Sequence, residues 1–288
     1  MIQQLVIGGS AAIATPLASL SCNTSPEIQG TTKGNINHSV CRWTYGELPL
    51  DKLCMTVKKL GFAAIDLVGP AEWNVLKGHG VFSSMCNGSE ISLTEGFNDR
   101  QYHATLIKNY KDGIELVAKA GYRNLICFSG NSNGMDDETG LKNCEEGLKQ
   151  LMSFAENKGV VLQMELFNSK VDHKDYMCDN TAWGIELCKR IGSPNFKLLY
   201  DIYYMQINEG DVIRTIKDHH TYFGHYHTAG VPGRHEIDLT QELYYPAIMK
   251  AIVATGFHGY VAQEFVPKGK NSSAKIRALK KAINTCDV

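Results

Sequence analysis

Positive charge is not in surplus in this chain: 29 Lys and Arg stand against 30 Asp and Glu, a formal net charge of −1. A surface that holds a phosphate backbone needs a basic stripe to displace counterions. Nucleic acid is therefore not the expected partner, and a small molecule is. The 9 cysteines include no CxxC pair and no ladder of short spacings, which argues against a cysteine zinc site and against a disulfide framework. Cys127 lies inside an apolar run, where a free thiol behaves as a small hydrophobe. No glycine-rich phosphate fingerprint comes after the first strand-like run, which disfavours a doubly wound open sheet. Hairpin signals are missing as well, so successive strands have to be parallel and joined by crossovers.

The apolar, small-residue-rich stretch from Leu5 to Leu20 is too short to span a bilayer comfortably. Residues 1–22 read as a signal-like, lipoprotein-like segment ending at Ser19-Leu20-Ser21-Cys22, with Cys22 as the lipidated residue. Two features depart from that pattern: no Lys or Arg precedes the run, and Ser19 stands where leucine is usual. The expectation is a periplasmic or lipid-anchored protein if the segment is a signal and a cytoplasmic one otherwise, with membrane contact only through that anchor. Residues 23–35 are rich in Ser, Thr, Gly and Asn and read as a linker.

Beyond the linker the chain settles into a rhythm. Apolar strand-like runs at Ile36–Trp43, Phe62–Leu67, Val81–Cys86, Asn124–Ser129, Val160–Leu166, Phe196–Ile202, Tyr222–Thr228 and Gly259–Phe265 number eight. Between and after them fall helical patterns at Leu50–Leu60, Ala71–Lys77, Tyr102–Ala120, Leu141–Asn157, Thr181–Ile191, Gly210–Lys217, Gln241–Thr255 and Ser272–Asn284. The clearest has Leu106, Tyr110, Ile114, Val117 and Ala120 on one face and Gly121 as its stop. Eight such units predict an α/β chain folded as a (β/α)8 TIM barrel, a single domain over residues 36–288.

Active sites of such barrels sit at the C-terminal ends of the strands. There the runs deliver Glu165, Asp201, His227 and Glu264, one from each of the last four strands. Acids buried so close together repel and desolvate badly unless a cation sits among them. The expectation is one divalent metal ion, Mn2+ or Mg2+ from the hard donor set, with Co2+, Fe2+ or Zn2+ as alternatives. His225 shares a strand face with His227 and is expected behind the site or at the substrate. Arg234, on the Gly-Pro loop after that strand, is a tethered cation within reach of whatever the cup holds. His79 falls at the opposite rim.

Beyond these positions the chain resembles a known family. Ala64-Ile65-Asp66-Leu67-Val68-Gly69-Pro70, Phe128-Ser129-Gly130-Asn131, Met164-Glu165-Leu166-Phe167-Asn168-Ser169-Lys170, Asp201-Ile202-Tyr203-Tyr204-Met205-Gln206, His227 through Glu236, and Gln263-Glu264-Phe265 are similar to the hydroxypyruvate isomerase-like proteins of the xylose isomerase-like barrel superfamily. The resemblance implies a metal held by Glu165, Asp201, His227 and Glu264, with the two glutamates also acting as acid and base and Arg234 holding substrate. One position departs: relatives usually carry histidine where this chain has Tyr204. A tyrosine there donates one hydrogen bond and stays neutral near pH 7.

The implied activity is a metal-dependent isomerase interconverting the aldehyde and ketone forms of a small hydroxy-carbonyl compound, of the hydroxypyruvate/tartronate semialdehyde type or a short keto sugar, by glutamate-assisted proton transfer through an enediolate. Lys170 and His173, on the loop after the fifth strand, are expected to cap the site, Lys170 either meeting a substrate carboxylate or staying solvated. Asn168 is expected to bond a sugar hydroxyl or to form a turn, and Trp43 and Phe167 to form apolar walls. Rival expectations are an epimerase or dehydratase of a larger sugar or cyclitol derivative and a non-catalytic carbohydrate-binding lipoprotein. Barrels of this kind often pair, so a homo-oligomer is also expected.

Overall fold

The computed structural model describes residues 32–288. The signal-like segment 1–22 and most of the expected linker lie outside the described residues. The described end of that linker is tied down: the Lys33 N–H donates to the Asp287 carboxylate at 2.9 Å, and Asn35 Nδ2 donates to the Val288 carbonyl at 2.8 Å.

The elements run in order as β1 (Asn37–Val40), α1 (Leu50–Lys59), β2 (Ala64–Ile65), α2 (Trp73–Gly78), β3 (Phe82–Ser83), α3 (His103–Ala120), β4 (Asn124–Cys127), α4 (Asp137–Lys158) and β5 (Val161–Glu165). The second half adds α5 (Thr181–Ile191), β6 (Phe196–Asp201), α6 (Ile202–Asn208), α7 (Val212–His219), β7 (Phe223–Thr228), α8 (Tyr245–Ala254), β8 (Tyr260–Gln263) and α9 (Ser272–Cys286). Six strands form one parallel sheet in the order β1-β8-β7-β6-β5-β4, and β2 pairs with β3. Parallel bridges Cys41–Asp66, Val68–Cys86 and Cys86–Leu125 join the two pieces. The circuit is thus closed, and the chain is a (β/α)8 barrel.

The helices form where an apolar stripe meets the strand wall. On α3, Leu106, Tyr110, Ile114 and Val117 are buried, and Gly121, at φ +80°, ends the helix in the left-handed region that glycine adopts without a steric penalty. Each such buried side chain contributes about 1.5–3 kcal/mol.

Several elements differ from the sequence reading. α4 starts at Asp137 rather than Leu141, because the Asp136 carboxylate accepts the Thr139 N–H and caps a turn whose Asp137 and Glu138 suit a helix N-terminus. β6 stops at Asp201, and Ile202–Asn208 is a short helix rather than more strand and loop. β2 and β3 are two residues each, the rest of their runs making only the single bridges above. A register irregularity between β6 and β7 sets Leu198 opposite Phe223 and Leu199 opposite His225. The extra residue, Gly224, is a bulge that keeps both His225 and His227 facing the barrel interior.

Candidate metal centre

At the C-terminal mouth, Glu165 is the last residue of β5, Asp201 the last of β6, His227 the penultimate of β7, and Glu264 comes directly after β8. All four are buried, and one ligand atom from each lies within 4.8 Å of the others. His227 Nδ1 is 3.1 Å from Glu165 Oε1 and 3.0 Å from Glu264 Oε2. Asp201 Oδ1 is engaged as the cap of α6, accepting the N–H groups of Tyr203 at 2.7 Å and Tyr204 at 3.2 Å. Its Oδ2 is buried with no hydrogen-bond partner. That oxygen, with Arg234 Nη2 3.7 Å away, forms beside two carboxylates and an imidazole nitrogen the donor set a hard divalent ion takes.

Two other clusters also meet at His227 and fit a metal less well. Cys41 Sγ is 3.9 Å from His227 Nε2, but burial pushes its thiol well up, so it is a poor thiolate. In the second, Asp66 is already satisfied: it accepts the Ser84 hydroxyl at 2.6 Å, faces His227 Nε2 at 3.0 Å and lies 2.9 Å from His225 Nε2. With the N–H of His227 on Nε2 and held by Asp66, Nδ1 is free to face the cup.

The electrostatics show how tightly the charges of the cup are coupled. Burial, chiefly, lifts Glu165 to about 7, and burial together with the Glu264 charge lifts Asp201 well above the usual carboxylate range. Glu264 falls below that range, because Arg234 and His227 outweigh its burial. His227 is raised, the surrounding acids outweighing desolvation. Protons and a guanidinium thus supply the positive charge that a divalent ion would supply to three ionised carboxylates.

Arg234 reaches in from the loop with φ +57°, a left-handed backbone that costs a non-glycine residue about 1–2 kcal/mol. Its Nη2 donates to Glu264 Oε2 at 2.5 Å and its Nη1 to the Tyr204 hydroxyl. The guanidinium lies over the rings of Tyr204, Trp43 and Tyr203, with centroids at 4.6, 5.1 and 5.7 Å. Trp43 Nε1 donates to Glu264 Oε1 at 2.8 Å, so this residue is more than an apolar wall. The Tyr204 hydroxyl is 3.0 Å from His173 Nε2, and His173 stacks on Phe167 at 4.2 Å. Burial and the Arg234 charge lower the His173 pKa, leaving a neutral imidazole to accept from Tyr204. Above the two glutamates these groups line a cavity of about 320 Å3.

Three residues weighed for substrate contact do not line the cavity, and for His225 and Asn168 the structure takes the other alternative, behind the site and in a turn. His225 is 0% exposed and packs beneath the cup beside Asp66, since the strand's two-residue period sets it one layer down. The Lys170 ammonium donates to the carbonyls of Ile207 and Asn208 on the outer side. Asn168 is buried in a turn, its Oδ1 accepting the N–H groups of Val171 and Asp172 and its Nδ2 donating to Asp172. Asp66 was missed among the functional residues, although it ends the Ala64-Ile65 strand by the rule that singled out the other acids.

Residues 56–282 match the family model described as Xylose isomerase-like TIM barrel. The chain is 33% identical over 134 residues to a 2-oxo-tetronate isomerase of Cupriavidus necator, covering 45% of this chain and 51% of that protein. It is 27% identical over 124 residues to a Homo sapiens protein provisionally named hydroxypyruvate isomerase, covering 43% and 45%. The chain spans about half the length of these curated relatives. A solved structure of a family 2 AP endonuclease from Brucella melitensis superposes with a TM-score of 0.71 at 23% identity, covering 83% of this chain and 96% of the other; that likeness concerns the fold.

Proposed function

The chain belongs to the xylose isomerase-like TIM barrel family, and from that premise we propose that it is a metal-dependent isomerase interconverting the aldehyde and ketone forms of a small hydroxy-carbonyl compound, of the hydroxypyruvate/tartronate semialdehyde type or a short keto sugar. The relatives named as isomerases of 2-oxo-tetronate and hydroxypyruvate support that substrate class.

The observation that carries the reading is the pair of carboxylates, Glu165 and Glu264, each about 3 Å from the same nitrogen of His227 and both at the floor of the cavity. Binding alone needs no matched acid and base, whereas moving a proton between adjacent carbons needs both. Glu165, Asp201, His227 and Glu264 would hold the divalent ion, which when bound supplies Lewis-acid polarisation of the substrate carbonyl and its neighbouring hydroxyl. One glutamate accepts the proton from the carbon beside the carbonyl and the other delivers one to the neighbouring carbon. Arg234, anchored by Tyr204 and flanked by aromatic rings, binds the anionic or oxygen-rich end of the substrate. Phe128, Phe167 and Trp43 keep water from the reacting carbons.

The test is product analysis by NMR with hydroxypyruvate and a panel of short keto sugars, using metal-loaded and EDTA-treated protein. Aldehyde–ketone interconversion that disappears with EDTA is expected. Inversion at a single carbon without carbonyl migration would replace isomerisation by epimerisation, and turnover undiminished by EDTA would remove the metal from the account.

A further inference from the structure

The opposite mouth of the barrel holds a cavity of about 560 Å3, larger than the 320 Å3 above the glutamates. The N-terminal ends of barrel strands ordinarily close with branched apolar side chains and serve stability. Here the lining includes Asn124, Gln163, Lys197 and Gly224. Gly224 is the bulge residue of β7, and a Cβ on it would stand 2.7 Å from Gln163 Oε1 and 2.9 Å from Lys197 Cβ. The space is therefore kept by glycine.

Two features of this cavity ask for a ligand. Gln163 is 1% exposed; its Nε2 donates to Asn124 Oδ1 at 3.0 Å while Asn124 Nδ2 donates to the Ser84 carbonyl at 2.8 Å. That chain fixes the amide, so Gln163 Oε1 is an acceptor, and it has no partner. A buried acceptor left alone costs about 1–3 kcal/mol. The charge is also one-sided: Arg123, Lys197 and His258 line the cavity, and no Asp or Glu among the described residues does. The Lys197 ammonium donates to the Thr221 carbonyl, which leaves two of its three N–H groups. The Arg123 side chain is exposed and makes no ion pair among the described residues.

We propose that this N-terminal cavity is a second binding site, for a small anion that also carries a hydroxyl. The anionic oxygens meet Arg123 and Lys197, and the hydroxyl donates to Gln163 Oε1. Hydrogen phosphate has both parts, and so does a short hydroxy-carboxylate such as glycerate. Sulfate has the charge without the proton.

The experiment is calorimetric titration of the metal-stripped full chain with inorganic phosphate, glycerate and sulfate, repeated on Arg123→Ala, Gly224→Ala and Arg234→Ala. Phosphate or glycerate is expected to bind, and whichever is tighter identifies the source of the anion. Sulfate is expected to bind about tenfold more weakly, through loss of the hydrogen bond to the buried acceptor. Arg123→Ala, an exposed change that leaves the core intact, and Gly224→Ala should each weaken this binding by a similar factor, and the Arg123-dependent binding should persist in Arg234→Ala, which removes the cation that the other mouth offers to anions. Absence of binding at millimolar phosphate and glycerate, binding insensitive to Arg123→Ala, binding lost instead with Arg234→Ala, or sulfate as tight as phosphate would each overturn the proposal.

Discussion

Asp66 is 0% exposed yet held ionised: burial opposes its charge, but His225 and His227 outweigh burial and bring its pKa below the ordinary carboxylate range. The negative charge holds the N–H of His227 on Nε2 and points Nδ1 at the glutamates. Asp66→Asn keeps the shape and loses the charge that sets the tautomer. Its Mn2+ affinity, read by calorimetric titration, should fall by about 10–100-fold; an unchanged affinity would mean that packing alone orients His227. The four proposed ligands could be read from the chain because each ends an apolar strand-like run. Asp66 ends one too, but β2 is two residues long and its run carries no second chemical residue to draw attention. For Lys170 the expected substrate contact is replaced by backbone contacts, while for His225 and Asn168 the structure takes one of the two alternatives, behind the cup and in a turn. Strand period and loop position say which residues are near a mouth, but not which side chains are spent on the backbone beside them.

The junction between β6 and α6 shows how an element can be fixed by a side chain that also has another task. Asp201 Oδ1 caps α6 while Oδ2 faces the cup. Asn keeps a capping oxygen and Ala does not. Metal-free Asp201→Ala should therefore be less stable than metal-free Asp201→Asn by about 1 kcal/mol, while both lose metal affinity. Thermal melts of the two variants in chelator test this, and equal melting temperatures would show that the cap contributes nothing. The same junction was not legible as a helix, because Ile202-Tyr203-Tyr204 continues the β-branched and aromatic composition of the strand before it. At α4 the opposite happened: the polar Asp136-Asp137-Glu138 looked like loop and is a capped first turn. α5, by contrast, was read to the residue, because Asn180 caps it and Gly192 ends it at φ +70°.

For the molecule as a whole, the site sets stability against pH. The Glu165 pKa is raised from 4.5 to about 7 in the fold, so between those values the folded state holds a proton that the unfolded chain releases. Its contribution to the metal-free protein is therefore lost as pH rises from about 4.5 to about 7. Glu264 and Asp66, whose pKa values are lowered, contribute in the opposite sense, and that part is lost on acidification below the ordinary carboxylate range. A divalent ion takes the place of the proton and needs the carboxylates ionised. Saturating Mn2+ should accordingly raise the melting temperature more at pH 8 than at pH 5.5, with about 2.7 kcal/mol gained at one hundred times the dissociation constant. A stabilisation equal at both pH values would contradict the assignment of the carboxylates as ligands. The closed barrel itself was legible because eight strand–helix alternations without hairpin signals leave few other topologies. The cavity at the N-terminal mouth was not, since nothing in a run such as Val161-Leu162-Gln163 says that its amide oxygen lacks a partner.

The measurement that bears most directly on the account is solvent deuterium incorporation. Metal-loaded protein, Glu165→Gln and Glu264→Gln are incubated in D2O with the substrate that the product screen identifies, and the proton beside the carbonyl is tracked by NMR. The account predicts exchange coupled to isomerisation in the unsubstituted protein, with each glutamine variant losing most turnover, by about 10²–10⁴-fold, while still binding the substrate. Near-normal exchange and turnover in both variants would contradict it, because no other matched pair of acids stands at the floor of the cavity among the described residues.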